Sequence, residues 1–218
     1  DFCLSRGLGD VYKRQQFDTL DYLGAAFIGL IVFFLVFVIT IVSFLRERSQ
    51  GTLERLMSTP LRRSEIVLGY MVGIGAAALV QAAEVLVFAL YVIGIRNQGP
   101  VWLIFGLELL MALSAVNLGI FLSMFARTEF QAVQFIPLVI VPQFILSGII
   151  FPVSQEPGWL QVISNLLPLT YAVNGLRDVM VKGADLGWGS VQLDAGVVLA
   201  FCVATIVASA LTLRRRIA

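Results

Sequence analysis

Gln81, Glu84 and Glu108 each interrupt a long apolar stretch, and residues 46–65, RERSQGTLERLMSTPLRRSE, carry eight of the chain's 29 charged residues. These are the side chains whose type and position point to chemistry. An ionisable group at membrane depth is costly and faces a bundle interior or a wet cavity. At about 1.5 Å per residue from the outer helix ends, Glu84 is expected roughly 16 Å deep and Glu108 roughly 10 Å deep. Two readings stay open for them: a polar substrate path in the outer half of the bilayer, or protonated and hydrogen-bonded packing contacts. Enzymatic chemistry has little to work with. Histidine is absent, which removes the commonest metal ligand and general base. Neither Lys13 nor Lys182 closes a phosphate-binding GxxxxGK loop followed by Ser or Thr. Cys3 and Cys202 fit neither a disulfide framework nor a zinc site, and Cys202, in an apolar run, reads as a buried inert thiol. No catalytic residue, bound cofactor or metal is expected.

The elements that must position these residues are membrane helices. The chain of 218 residues is 59% hydrophobic and 13% charged, with a mean hydropathy of +0.92. Soluble domains carry about 25% charged residues. A net charge of +1 leaves no field for nucleic acid. A spanning helix needs about 20 mainly apolar residues. Five segments meet this: 22–45, 65–95, 101–126, 130–152 and 192–213. The fold class is therefore all-α, a polytopic membrane helix bundle. Pro137 and Pro142 should kink the fourth span, and Gly69-x-x-x-Gly73 with Gly75 and Ala76 to Ala78 allows close helix packing. Placing the 46–64 loop in the cytoplasm puts nine basic residues on that side: Arg46, Arg48, Arg55, Arg62, Arg63, Arg127, Arg214, Arg215 and Arg216. Leaving out residues 1–15, the outer side then has Arg96, Arg177 and Lys182, so the positive-inside rule favours this orientation, with a cytoplasmic C-terminus.

Within the charged island, Leu53, Leu56 and Met57 fall at i, i+3 and i+4, one stripe on a helix. Gly51 permits a break from the preceding helix. Thr59 can cap the next one, with Pro60 at its first position. Residues 51–58 thus read as a two-turn amphipathic helix. A loop that only sets topology needs the charge but not the stripe; the stripe suggests docking to a partner groove or the membrane surface. Residues 153–190 form the largest outer segment. Pro157-Gly158 and Pro168 break it, and Trp159, Tyr171 and Trp188 suit a membrane–water interface. The stretch 159–173 is too short to span and reads as interfacial or re-entrant.

Two sets of residues carry a family resemblance. The first is Arg46-Glu47-Arg48, Gly51-Thr52-Leu53-Glu54, Leu56 and Thr59-Pro60, with Leu68-Gly69 beyond. The second is Gly148, Phe151-Pro152, Pro157, Trp159-Leu160, Pro168-Leu169-Thr170-Tyr171 and Leu176-Arg177. Together, in this order, they resemble the permeases of type-2 ATP-binding-cassette (ABC) exporters over residues 21 to 216. The resemblance implies six spans per protomer, two protomers, and two cytosolic ATPase subunits that bind ATP-Mg. It makes 51–58 the coupling helix seated on the ATPase, with Arg46 to Pro60 around it. It makes 157–182 a pair of short outer helices capping the exit path. Substrates of the family include drugs, lipids and glycans. The implied location is the cytoplasmic membrane of a prokaryote. The chain departs from the pattern in lacking the family's first span. Residues 1–15 contain CLSRGLGDVYKRQ, which resembles translated sequencing adapter, so a non-native tail is expected there, and 16–218 is expected to be a single permease domain. Two other functions fit the composition: an ATP-independent secondary transporter or channel, and a membrane scaffold recruiting a cytosolic partner. No internal repeat supports the former.

Overall fold

The computed structural model describes residues 2–51, 63–126 and 128–215. Among these residues it is all-helical, with seven α-helices and no strand. They are α1 (Phe2–Ser49), α2 (Arg63–Val87, continued by a π-helical turn Phe88–Ile93), α3 (Val101–Ser123), α4 (Glu129–Leu146), α5 (Gly158–Ser164), α6 (Pro168–Met180) and α7 (Gly189–Arg215). Four helical stretches are long and apolar enough to cross a membrane: Asp21–Glu47, Leu68–Ile93, Val101–Ser123 and Gly189–Thr212. The α1 backbone is helical well before residue 22, through the stretch expected to be a tail.

The fourth apolar segment differs from expectation. Helix α4 stops at Leu146 rather than at 152, and its 18 residues reach about 27 Å, short of a hydrocarbon core of about 30 Å. The reason is local. Gly148 adopts φ +75°, a left-handed conformation open to glycine at little cost. Ser147 caps the helix, its backbone N–H and its hydroxyl both donating to the Gln143 carbonyl. Pro137 and Pro142 both sit inside α4, as the sequence requires. At the other end Thr128 accepts from the Gln131 backbone N–H at 3.2 Å, an ordinary N-cap. Helix α2 also ends on a left-handed glycine, Gly94 at φ +77°, which bonds back to the Ala89 carbonyl.

Helix α3 is the centre of the bundle. Its apolar window is 67% buried, against 22% for those of α2 and α7. It packs on α1, α2, α6 and α7, with α1 as its largest partner. The buried residues Ile104, Leu107, Glu108, Met111, Ala112, Ala115, Gly119 and Ser123 recur at three- and four-residue steps, one stripe of a 3.6-residue helix. Helix α1 answers with Phe33, Phe37, Ile41 and Phe44, all buried. Small residues on both helices, Gly29 on α1 against Met111 and Gly119 on α3 against Thr40, let the backbones approach. Association of helices in lipid depends on this kind of close packing, because lipid tails remove most of the hydrophobic drive. The approach is tightest at Gly119, where a Cβ would lie 2.9 Å from Thr40 Cβ and Cγ2.

One end of the bundle gathers the segments assigned to the outside. The Arg96 backbone N–H donates to Asp21 Oδ1 at 3.2 Å, and the Gln98 N–H to the Met180 carbonyl at 3.0 Å. Asn97 closes a turn over Gly99, with bonds of 2.8 and 2.9 Å. At the opposite end Phe44 and Tyr70 meet edge to face, with ring centroids 5.1 Å apart. The Gly119→Leu variant should force α1 and α3 apart at a cost of about 1–3 kcal/mol. A lower midpoint in a detergent thermal-unfolding scan, with Gly106→Leu as an open-space control, is the expected result; equal midpoints would contradict this packing.

Candidate functional site

The functional residues fall in three places along the bundle. At the end carrying the charged island, Gly51 has φ +73°, and the Gln50 N–H bonds to the Arg46 carbonyl at 3.0 Å. The helix α1 thus breaks at the glycine the sequence singled out. Arg46 is exposed and Glu47 half-buried. Thr52, Leu53, Glu54, Leu56, Met57, Thr59 and Pro60, and with them the 51–58 helix beyond its first residue, lie outside the described residues, as does the Arg48 side chain. Beside the break is an open cavity of about 420 Å³ between α1 and α2, lined by Glu47, Glu65, Ile66, Gly69, Tyr70, Gly73 and Ile74. Gly69 and Gly73 have nothing within 4 Å of a would-be Cβ, so their expected close packing is not made within this chain's described residues.

Within the membrane, Gln81, Glu84 and Glu108 do not share one environment. Glu84 is exposed on the surface of α2. Glu108 is fully buried on the α3 stripe, and neither carboxylate oxygen has a hydrogen-bond partner among the described residues. Gln81 is half-buried, its amide nitrogen unpartnered, beside a small gap of about 20 Å³ between α1 and α2. An unpaired buried polar group costs about 1–3 kcal/mol. Buried polar residues in the spans go beyond those three. Thr40 is fully buried and bonds back to the Val36 carbonyl at 2.7 Å. Gln143 and Asp194 are also buried. Their signal was present in the sequence as polar letters inside apolar runs.

The outer segment is the best-defined polar structure. Pro157 precedes α5, and Pro168 occupies the first turn of α6, where its missing N–H costs nothing. The turn between them is closed by side chains. Thr170 Oγ1 donates to the Ser164 carbonyl at 2.7 Å and the Tyr171 hydroxyl to the Asn165 carbonyl at 2.9 Å. Ser164 Oγ donates to Glu156 Oε2 at 2.5 Å, and Gln161 Nε2 to the Glu156 carbonyl at 2.8 Å. Trp159, Val162, Ile163 and Leu166 form an exposed apolar stripe on and just past α5. With exposed Trp102 and Trp188 at the same end, this is the aromatic and apolar pattern of a bilayer interface.

Arg177, on α6, is 4% exposed. Its Nη1 donates to the Gly148 carbonyl at 2.7 Å, its Nη2 to the Ile149 carbonyl at 3.1 Å, and its Nε to the Tyr22 carbonyl at 3.3 Å. Its guanidinium carbon stands 3.7 Å above the centre of the Tyr22 ring, a cation–π contact. Burial lowers the Arg177 pKa, and Tyr22 opposes that shift; the group stays charged, since guanidinium loses its proton only under extreme conditions. Hydrogen bonds from a charged donor are worth about 1.5–3 kcal/mol each. Here they satisfy carbonyls that the end of α4 leaves without helical partners.

Four helices long and apolar enough to cross a membrane, with a short helix pair between the last two long elements, are what a polytopic membrane bundle requires. The chain belongs to the ABC-2 type transporter family, whose model matches residues 4–181. It is 32% identical over 206 residues to ABC transporter G family member 20 of Dictyostelium discoideum, covering 94% of this chain and 28% of that protein. It is 30% identical over 185 residues to the probable multidrug ABC transporter permease YbhR of Escherichia coli, covering 83% of this chain and 50% of that protein. The linearmycin resistance permease protein LnrN of Bacillus subtilis is 28% identical over 170 residues, covering 78% of this chain and 43% of that protein. The chain therefore spans half or less of the length of these relatives.

Two outcomes are expected from this geometry. Glu108→Leu removes an unpaired buried carboxyl and should raise the thermal midpoint in detergent; a drop would reveal a partner for the carboxyl. With Trp102 and Trp188 replaced by Phe, Trp159 emission should be blue-shifted in proteoliposomes and quenched by brominated acyl chains. Efficient quenching by aqueous iodide instead would place α5 in water.

Proposed function

We propose that this chain is the membrane-embedded permease part of an ATP-driven exporter, working with separate cytosolic ABC ATPase subunits and a second permease protomer. The observation that carries the reading is the inter-span island. It begins in the last turn of α1, contains the left-handed Gly51 just past that helix, and combines arginines with the Leu53, Leu56 and Met57 stripe. The arginines hold the loop in the cytoplasm, and the apolar stripe enters a groove on the ATPase. ATP-Mg is bound and hydrolysed by that partner; its closure pushes the 51–58 helix, and α1 and α2 carry the movement into the bundle. The orientation that follows has the C-terminus in the cytoplasm of a prokaryote.

Substrate class is read more coarsely. The relatives named for multidrug transport and linearmycin resistance support a drug-type substrate within the drug, lipid and glycan range of the family. The only acid buried in α3, Glu108, stands alone without a basic partner among the described residues.

The docking reading predicts that Leu53→Asp with Leu56→Asp lowers co-purification with the cognate ABC ATPase at least about tenfold, since two buried apolar contacts are worth about 1.5–3 kcal/mol each. Membrane insertion, measured by alkaline extraction, should be unchanged. Undiminished co-purification would refute docking through this stripe.

A further inference from the structure

Arg177 and Asp178 are consecutive, and successive helical residues point about 100° apart. They reach opposite neighbours. Arg177 turns to α1 and to the end of α4, taking carbonyls of Tyr22, Gly148 and Ile149. Asp178 turns to α7: it accepts from Ser190 Oγ at 2.8 Å, and from Lys182 Nζ at 2.5 Å. The two contacts differ in kind. The Arg177 guanidinium is buried, and its three hydrogen bonds end on backbone groups that no rotamer change can withdraw. The Asp178 contact is side chain to side chain, and Lys182 is largely exposed. A forked donor held by three fixed acceptors in a buried site is hard to break and rebuild in every cycle. We propose, resting on the exporter reading, that Arg177 is a positioning residue that welds the outer helix pair to α1 and the end of α4, so that these three elements move as one body during transport. The outer path then opens along another face of the pair.

The test uses the full transporter with its ATPase in nanodiscs, with Cys3 and Cys202 replaced by Ser. Nitroxide labels at Ile31→Cys on α1 and Asn174→Cys on α6 occupy exposed positions. Their distance distribution should be the same without nucleotide and with ATP plus vanadate. Arg177→Ala should broaden that distribution and cut export per folded transporter at least about tenfold, the scale of a displaced positioning element. Arg177→Lys keeps the cation but not the fork and should fall between the two; it carries the test where Arg177→Ala does not accumulate. A 31–174 distance that changes between nucleotide states overturns the proposal, as do wild-type distances and export in either variant. Failure of the unlabelled parent to export with ATP overturns the exporter reading itself, whatever the distances show.

Discussion

A hydrocarbon environment offers no water to a backbone carbonyl, so any stretch that leaves its helix there must find donors inside the protein. The same demand for internal donors applies to buried carbonyls, and those of Gly148 and Ile149, just past Leu146, are bonded in buried contacts. The left-handed Gly148 ends α4 before the expected span is complete. The donors come from a single side chain, Arg177, 29 and 28 positions along the chain and on a different helix. The same guanidinium also takes a carbonyl and the ring face of Tyr22 on α1. The helix break, the placement of the outer pair and the position of α1 at this end are thus one constraint met by one residue. Arginine suits it because five donors in a planar fork can serve several oxygens at once.

Below this joint the bundle depends on α3. Its buried residues lie on more than one face, and α1, α2, α6 and α7 pack against them. The contact with α1 is closest where Thr40 stands against Gly119. The less covered helices, α2 and α7, present apolar surface outward: Val72, Val80 and Tyr91 on α2, Leu193, Val203 and Leu211 on α7. In an ABC-2 permease such surfaces meet lipid or other protein. The chain is therefore closely packed at its centre and open at its periphery.

Much of this could be read in the letters alone. Apolar runs of spanning length located α1, α2, α3 and α7, because length and hydropathy are local properties. Gly51 foretold the end of α1, and Pro157 and Pro168 foretold the breaks around α5 and α6, because backbone restrictions act within a residue or two. The end of α4 was not legible. Residues 147–152 are as apolar as those before them, and nothing local says that Gly148 will turn left-handed rather than continue a helix.

Composition, spacing and the distribution of arginines determined that the chain is a helical membrane protein with a charged loop between its first two long spans, and the motifs around Gly51 and Pro168 pointed to the family. Only the tertiary structure decided what the intramembrane acids and Arg177 face. Glu84 and Glu108 look alike in sequence, each a lone acid in an apolar helix, yet one lies on the surface and the other on the stripe that meets α1. Arg177 looked like an outer-loop charge and is a buried brace. The physical reason is the same in each case. Depth along a helix is a matter of counting residues, whereas the neighbour a side chain meets depends on which other helix is packed there.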